Sequence, residues 1–367
     1  VKPLRVVDTA DPQPVLAAIH SALAGGPAVL PHPGSPSVLP DTVDQRVAVV
    51  IETSGSTGRP KRVALGADAL LASAAASEVQ LGGPGQWLLA LPTHYIAGVN
   101  VLVRSLASGT EPAIMAPGHF SAERFVEAAA RLGEPRRYTS LVPAQLARLI
   151  ESDSALDTLR RFDRILVGGQ AVPVTLAARA LELGLNLTRT YGSSETSGGC
   201  VWDGVPIGDT ELRVVDGRIE IAGSVLAHGY LDDPERTAAA FIDEAGTRWY
   251  RTDDTGTISD GVLSVTGRVD DVIITGGIKV SLAEIEAVIR TLDGLEDAVV
   301  VATPHPQWGD TPVVAGTTDV ALDAIRAAVA SRLGAAAAPT RLLLLESIPL
   351  TATGKPDRPS IVALALK

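Results

Sequence analysis

From Thr53 to Lys61 the chain reads TSGSTGRPK, a run of residue types suited to gripping phosphate. Ser54, Ser56 and Thr57 offer hydroxyl donors, and Gly55 and Gly58 let backbone N–H groups close on anionic oxygens with no Cβ in the way. Lys61 adds a compact positive charge on a flexible stem. The Walker-type loop Gly-x-x-x-x-Gly-Lys-Ser/Thr does not fit, because Gly58 is followed by Arg59 and Pro60, and Arg62 stands where the magnesium-binding hydroxyl belongs. The lesser alternative for the segment by itself is a Ser/Gly surface turn.

Further segments carry groups for handling a nucleotide. TYGSSET, from Thr190 to Thr196, holds Tyr191, which could stack on a purine, and Glu195, whose oxygens could bind a divalent cation. The same letters also suit a capped turn into a helix. WYRTDDTG, from Trp249 to Gly256, presents Asp253 and Asp254, carboxylates able to accept from vicinal ribose hydroxyls, or simply residues favoured in a β-turn. GRVDD, from Gly267 to Asp271, adds Arg268 as a second ribose or phosphate contact. PLTATGKPDR, from Pro349 to Arg358, sets Lys355 after Gly354 in a loop, where a plain exposed lysine is the alternative. Lysine occurs only at positions 2, 61, 279, 355 and 367, and three of these lie in the glycine-containing motifs GRPK, GGIK and TGK. In a chain that otherwise uses arginine, that placement points to chemistry.

To hold these segments, short β-branched runs at residues 47–51, 87–91, 113–115, 138–142, 164–167 and 187–190 alternate with helical stretches at 67–80, 121–132, 143–151 and 174–183. The alternation predicts a layered α/β domain with a largely parallel sheet. After Gly199, Asp216-Gly217 and Asp260-Gly261 fall between apolar alternations and predict antiparallel hairpins. Beyond about residue 270 a third pattern begins, with strands at 272–275, 298–302 and 312–315 and helices at 282–292 and 322–333. The predicted domains are therefore 1–269 and 270–367, and residues 334–338 read as a loose connection.

At 367 residues the chain can form two or more domains, and its 46% apolar content with no membrane-spanning run predicts a soluble globular protein. A net charge of -11 argues against a nucleic-acid binder. Cys200 is the only cysteine, which excludes an intrachain disulfide and a cysteine-based zinc site and suits a reducing cytoplasm. The start, VKPLRVVDTADPQPV, meets Asp8 and Asp11 early and does not read as a targeting segment.

In their order along residues 47–358 these motifs resemble the adenylate-forming superfamily of acyl- and aryl-CoA ligases, luciferases and peptide-synthetase adenylation domains. The resemblance implies a large N-terminal domain of layered α/β sheets with a β-rich section, then a small mobile α+β lid. It implies ATP and Mg2+ as cofactors, a carboxylic acid as substrate and coenzyme A as cosubstrate, with no membrane insertion. Carried onto this sequence, Thr53, Ser54, Gly55, Ser56, Thr57, Gly58 and Lys61 would hold phosphate, and Thr57 and Glu195 the metal. Gly168, Gly169, Gln170 and Ala171 would line the acyl and adenine pockets, with Thr190, Tyr191, Gly192, Ser193, Ser194 and Thr196 beside them and Tyr191 on the adenine. Asp254 and Arg268 would contact ribose, Asp270 would be the hinge, and Lys355 the adenylation lysine. Gly276, Gly277 and Lys279 resemble the loop used in thioester formation, and Trp308 a coenzyme A contact. Asp253 departs from the family's glycine, and Arg62 stands where glycine is common.

The phosphate loop begins about fifty residues in, early for the superfamily, so a shortened N-terminal region is expected, as in compact o-succinylbenzoate-CoA ligases of menaquinone synthesis. LPTHYIAGVNVLVRSLASG, from Leu91 to Gly109, resembles their acyl-pocket helix, and the resemblance also assigns Gly168, Gly192 and Ser193 to the substrate. Arg104 falls where a cation for a second carboxylate would stand, although an arginine paired locally or lying along a helix face fits as well. Tyr95 occupies the place of the pocket histidine, and His94 lies one residue earlier. Other aryl or medium-chain acids, transfer to a carrier protein, and a silent nucleotide-binding protein stay open. A homodimer is an expectation of the resemblance alone.

Overall fold

The structure is a computed structural model that describes residues 1–36, 38–53, 60–350 and 356–367. By packing, the chain divides into two units: Val1–Arg213 with Glu220–Arg251, and Val214–Ile219 with Thr252–Lys367. No helix among the described residues is long and apolar enough to cross a membrane.

The first unit begins with strands β1 (Lys2–Asp8), β2 (Ala28–His32), β3 (Thr42–Val43), β4 (Val47–Thr53) and β5 (Lys61–Gly66). They form one sheet in the order β5-β4-β2-β1-β3, with Gly229–Tyr230 added outside β5. Val47, Ala48, Val49, Val50 and Ile51 are all buried, as expected for a strand covered on both faces. Helix α1 (Pro12–Leu23) connects β1 to β2; Asp11 caps it by accepting from the Gln13 N–H at 3.0 Å, and Pro12 sits where no amide donor is needed.

A second sheet runs β12-β11-β10-β9-β8-β6-β7, built from β6 (Gln86–Leu89), β7 (Ala113–Ile114), β8 (Arg137–Leu141), β9 (Arg164–Gly168), β10 (Leu187–Ser193), β11 (Gly198–Trp202) and β12 (Val205–Pro206). From β7 to β10 every pairing is parallel, so the residues that follow these strands leave from one edge. That edge is where open α/β sheets collect ligands. Helices α2 (Ala67–Leu81) and α3 (Ile96–Ala107) flank the sheet, and Phe125, Leu146, Leu149, Ile165 and Val167 form a closed core on it. Each such side chain contributes about 1.5–3 kcal/mol by leaving water.

The predicted hairpins are present as β13 (Glu211–Val215) with β14 (Arg218–Ala222), and β17 (Thr247–Ser259) with β18 (Val262–Arg268). Asp216 and Gly217 have φ of 52° and 79°, and Asp260 and Gly261 52° and 77°, the left-handed pair that a two-residue hairpin turn demands. The chain changes unit inside β13, β14 and β17. Gly229–Tyr230 is β15, and β16 (Phe241–Glu244) pairs with the first part of β17.

In the second unit, β19 (Val272–Thr275), β20 (Ile278–Ser281), β21 (Val299–His305), β22 (Gly309–Gly316) and β23 (Arg341–Leu344) make one sheet, packed against Leu282–Ile289 and Leu322–Leu333. The supposed loose connection contains a short 3-10 turn, Ala335–Ala337, because Ala337 is buried in this core.

Candidate active site

β4 and β5 meet antiparallel with Thr53 opposite Lys61 and Glu52 opposite Arg62, so both ends of TSGSTGRPK are fixed side by side. Ser54, Gly55, Ser56, Thr57 and Gly58 lie outside the described residues. Arg62 Nε donates to Glu52 Oε2 at 2.9 Å, Arg62 Nη1 donates to the Val38 carbonyl at 2.9 Å, and His32 Nε2 lies 3.4 Å from Glu52 Oε1.

On the second sheet, Gly168 ends β9 directly beside Thr190 of β10. A Cβ on Gly168 would stand 2.2 Å from Thr190 Oγ1, so only glycine allows this approach. Gly169, with φ of +77°, then turns the chain off the sheet, leaving Gln170 half-buried and Ala171 exposed. β10 carries Thr190, Tyr191, Gly192 and Ser193, and passes into the 3-10 turn Ser194–Thr196. Thr196 Oγ1 accepts from the Ser193 N–H at 2.9 Å and donates to the Gly198 carbonyl at 2.8 Å. The Ser197 carbonyl accepts from Ser73 Oγ of α2 at 3.1 Å and Asn100 Nδ2 of α3 at 2.8 Å, and these buried bonds lock the turn onto both helices. The turn holds Glu195, 6% exposed, whose Oε1 accepts from the Tyr230 hydroxyl at 2.8 Å. Lys61 Nζ lies 5.8 Å from the centre of the Tyr230 ring, which links the phosphate segment to Glu195.

Among the described residues, no three of His, Cys, Asp and Glu are grouped as a ready-made metal site. A single buried carboxylate fits magnesium, which keeps its waters and shares one or two protein carboxylates with substrate phosphates.

His94 and Tyr95 lie after β6, with ring centres 4.0 Å apart, and His94 Nδ1 is 3.4 Å from Thr9 Oγ1. Burial, and then the charge of His32, hold the His94 imidazole below its ordinary range. Arg104 is not brought to this edge. Its guanidinium sits 5.0 Å from the Trp87 ring centre in a small cavity lined by Ser77, Glu78, Ser108 and Tyr138, at the starts of β6 and β8. Burial lowers its pKa to about 10, and its Nε has no hydrogen-bond partner among the described residues. This position differs from the expected place toward the acyl group, because the helix motif gives a position along α3 and not the direction in which that turn faces.

The second unit contains the other group. Arg268 stands opposite Asp254 in the β17–β18 register, its Nη1 3.3 Å from Asp254 Oδ1, while Nε and Nη2 reach the two oxygens of Asp270 at 2.8 and 3.2 Å. Burial works against the Arg268 charge, but the hydrogen bond to Asp270 and the charges of Asp270, Asp254 and Asp253 outweigh it and hold the pKa above its ordinary value. Trp308, 53% exposed, lies on Gly276: a Cβ there would come within 2.9 Å of the indole, and the Gly276 N–H donates to the Trp308 carbonyl at 2.8 Å. Gly277 and Lys279 are exposed on the same hairpin. Lys355 lies outside the described residues. Just beyond it, Arg358 Nη2 donates to buried Glu286 at 2.8 Å; Glu286 also meets Arg290 at 2.7 Å and the Val300 N–H at 2.9 Å.

Tyr230, Glu52 and Glu286 were not selected from the sequence. Tyr230 and Glu195 are 35 residues apart, and no spacing rule joins a tyrosine on a two-residue strand to a carboxylate in a 3-10 turn.

With this geometry in place, a family profile described as "AMP-binding enzyme" matches residues 5–231, and one described as "AMP-binding enzyme C-terminal domain" matches residues 284–355. The chain belongs to the AMP-binding enzyme family. Among its relatives, a probable 2-succinylbenzoate–CoA ligase of Mycobacterium tuberculosis is 42% identical over 332 residues, 88% of this chain and 85% of the relative. A 2-succinylbenzoate–CoA ligase of Listeria monocytogenes is 29% identical, covering 88% of this chain and 71% of the relative. Among solved structures, an amide bond synthetase from Marinactinospora thermotolerans has a TM-score of 0.76 at 26% identity, covering 98% of this AMP-binding enzyme and 79% of the other chain. The o-succinylbenzoate CoA synthetase of Bacillus subtilis, complexed with its acyl-adenylate intermediate, has a TM-score of 0.75 at 22% identity over 98% of this chain and 82% of the other, which shows a shared fold.

Proposed function

We propose that this AMP-binding enzyme is a 2-succinylbenzoate–CoA ligase serving menaquinone biosynthesis in the cytoplasm. What carries the substrate is the 42% identity over 332 residues to a relative of that name. In the first half-reaction a carboxylate oxygen attacks the α-phosphorus of ATP, giving an acyl adenylate and pyrophosphate. In the second the coenzyme A sulfur attacks the activated carbonyl, the thiol proton is lost, and AMP leaves. The protein's part is alignment and charge stabilisation. Thr53 to Lys61 hold the polyphosphate, Tyr191 stacks on adenine, and Asp254 and Arg268 take the ribose. Magnesium, held by Glu195 and Thr57 together with the phosphates, would neutralise charge on the departing pyrophosphate. Lys355 bridges the attacking carboxylate and the α-phosphate. The region 270–367 serves both half-reactions by rotation at Asp270, presenting Lys355 in one and Gly276 to Lys279 with Trp308 in the other. His94 and Tyr95 border the acyl group. Assembly as a homodimer belongs to the same reading, and light scattering measures it.

The test is pyrophosphate release with a panel of acids, 2-succinylbenzoate among them, with and without coenzyme A. Release and a thioester product with 2-succinylbenzoate are expected. Release with a different acid overturns the substrate, and release without a thioester redirects the second step to an amine or carrier-protein acceptor. No release with any acid overturns catalysis.

A further inference from the structure

We infer that Tyr230 is the residue that positions Glu195 for the metal–polyphosphate end of ATP. The inference deepens the proposed function and rests on Glu195 being the metal-side carboxylate.

The Tyr230 side chain is placed with little freedom. Its backbone pairs with Val63 of β5, its N–H donates to Thr237 Oγ1 at 2.9 Å, and the residue is 7% exposed. Phe241 packs edge-on to the ring at 6.0 Å between centres. The hydroxyl is thereby delivered to Glu195 Oε1 at 2.8 Å, away from bulk water. The segment that leads into Tyr230 also meets Glu195 through the main chain, because the Ala227 N–H donates to the Glu195 carbonyl at 2.8 Å.

The identity of the donor is informative. An arginine or lysine on Glu195 would cancel the charge that a cation needs, whereas a phenol orients the carboxylate and leaves it anionic. Two positive groups lie against the ring of Tyr230: Lys61 Nζ and Arg236 Cζ are each 5.8 Å from its centre. Lys61 reaches the ring because strand side chains two apart share a face, and Val63 is the residue opposite Tyr230. One side chain therefore spaces the cation of the phosphate segment from the carboxylate of the metal, so that both can serve one polyphosphate.

Tyr230→Phe keeps the ring and removes the donor. In the full chain, Mn2+–ATP binding followed by electron paramagnetic resonance should weaken about 10- to 100-fold, the range for losing a group that orients a metal-binding carboxylate. The Mg2+ concentration for half-maximal pyrophosphate release should rise in parallel, and metal-free ATP binding should be unchanged. Tyr138→Phe is the structural comparison: it also loses a tyrosine hydroxyl bond, to the Gly83 carbonyl at 3.1 Å, and should leave Mn2+–ATP affinity unaltered. A folded Tyr230→Phe protein that binds Mn2+–ATP like the parent overturns the inference even where the parent makes thioester. Weakened Mn2+–ATP binding in a protein that activates no acid supports the inference and removes the proposed reaction. A parent without metal-dependent ATP binding overturns both.

Discussion

Arg62 and Glu52 face each other across β4 and β5 and join at 2.9 Å at the stem of the segment from Thr53 to Lys61. The pair is largely out of water, with side chains 15% and 16% exposed. Glu52→Gln keeps the shape and removes the charge. It should raise the KM for ATP several-fold with kcat less affected, because the stem residues and not the reacting atoms are disturbed. Chemical unfolding should show a loss of about 1–3 kcal/mol, that of one charge-assisted bond. An unchanged KM for ATP would detach this pair from the nucleotide.

Glu286, 8% exposed, satisfies Arg290, Arg358 and the Val300 N–H at once. Glu286→Ala leaves two guanidinium groups short of a partner and should destabilise the second unit by about 3–5 kcal/mol. Because Arg358 follows the TATGKPD segment that bears Lys355, pyrophosphate release should fall even where the protein stays folded. Denaturant titration with a parallel activity assay separates the two effects.

His94 supplies a pH dependence. Burial and then the charge of His32 depress its folded pKa below the ordinary 6.5, so the folded chain favours the neutral ring. Its contribution to stability is full above about pH 6.5 and is lost as the pH falls through the folded value. Melting temperatures scanned from about pH 8 to about pH 5 should decline on the acid side, and His94→Gln should flatten that decline. An identical acid slope in the variant would place the titration elsewhere.

Lys355→Ala should abolish adenylation and leave thioester formation from preformed acyl adenylate largely intact. Asp270→Pro should do the reverse, slowing the second step more than the first. Pre-steady-state measurement of both half-reactions is the check, and equal losses in both steps for Lys355→Ala would count against its role.

Much of the fold was legible because apolar periodicity is a local property. Leu322–Leu333 is found at its predicted bounds, and the Asp216-Gly217 and Asp260-Gly261 turns carry the positive φ that their residue types predicted. The strand β1, KPLRVVD, was passed over because its exposed and buried positions do not alternate cleanly. The site was legible as far as motif order could carry it. Glu195 was selected for its oxygens, but nothing near it announces Tyr230, since their meeting depends on β15 adding to β5. Arg104 shows the converse limit: a charged residue in an apolar helix marks an unusual environment, and only the packing shows that the environment is Trp87.

The interleaving of the two units has a practical side. Residues 214–219 and the described residues from Thr252 onward pack as one body, although the segment from Glu220 to Arg251 separates them along the chain. A gene cut at residue 270 would strand β18 and the later half of β17, with Asp254 and Arg268, on the wrong fragment. Splitting this enzyme for complementation or segmental labelling calls for a junction elsewhere, and the Asp216-Gly217 turn, which joins strands belonging partly to each body, is a poor choice for the same reason.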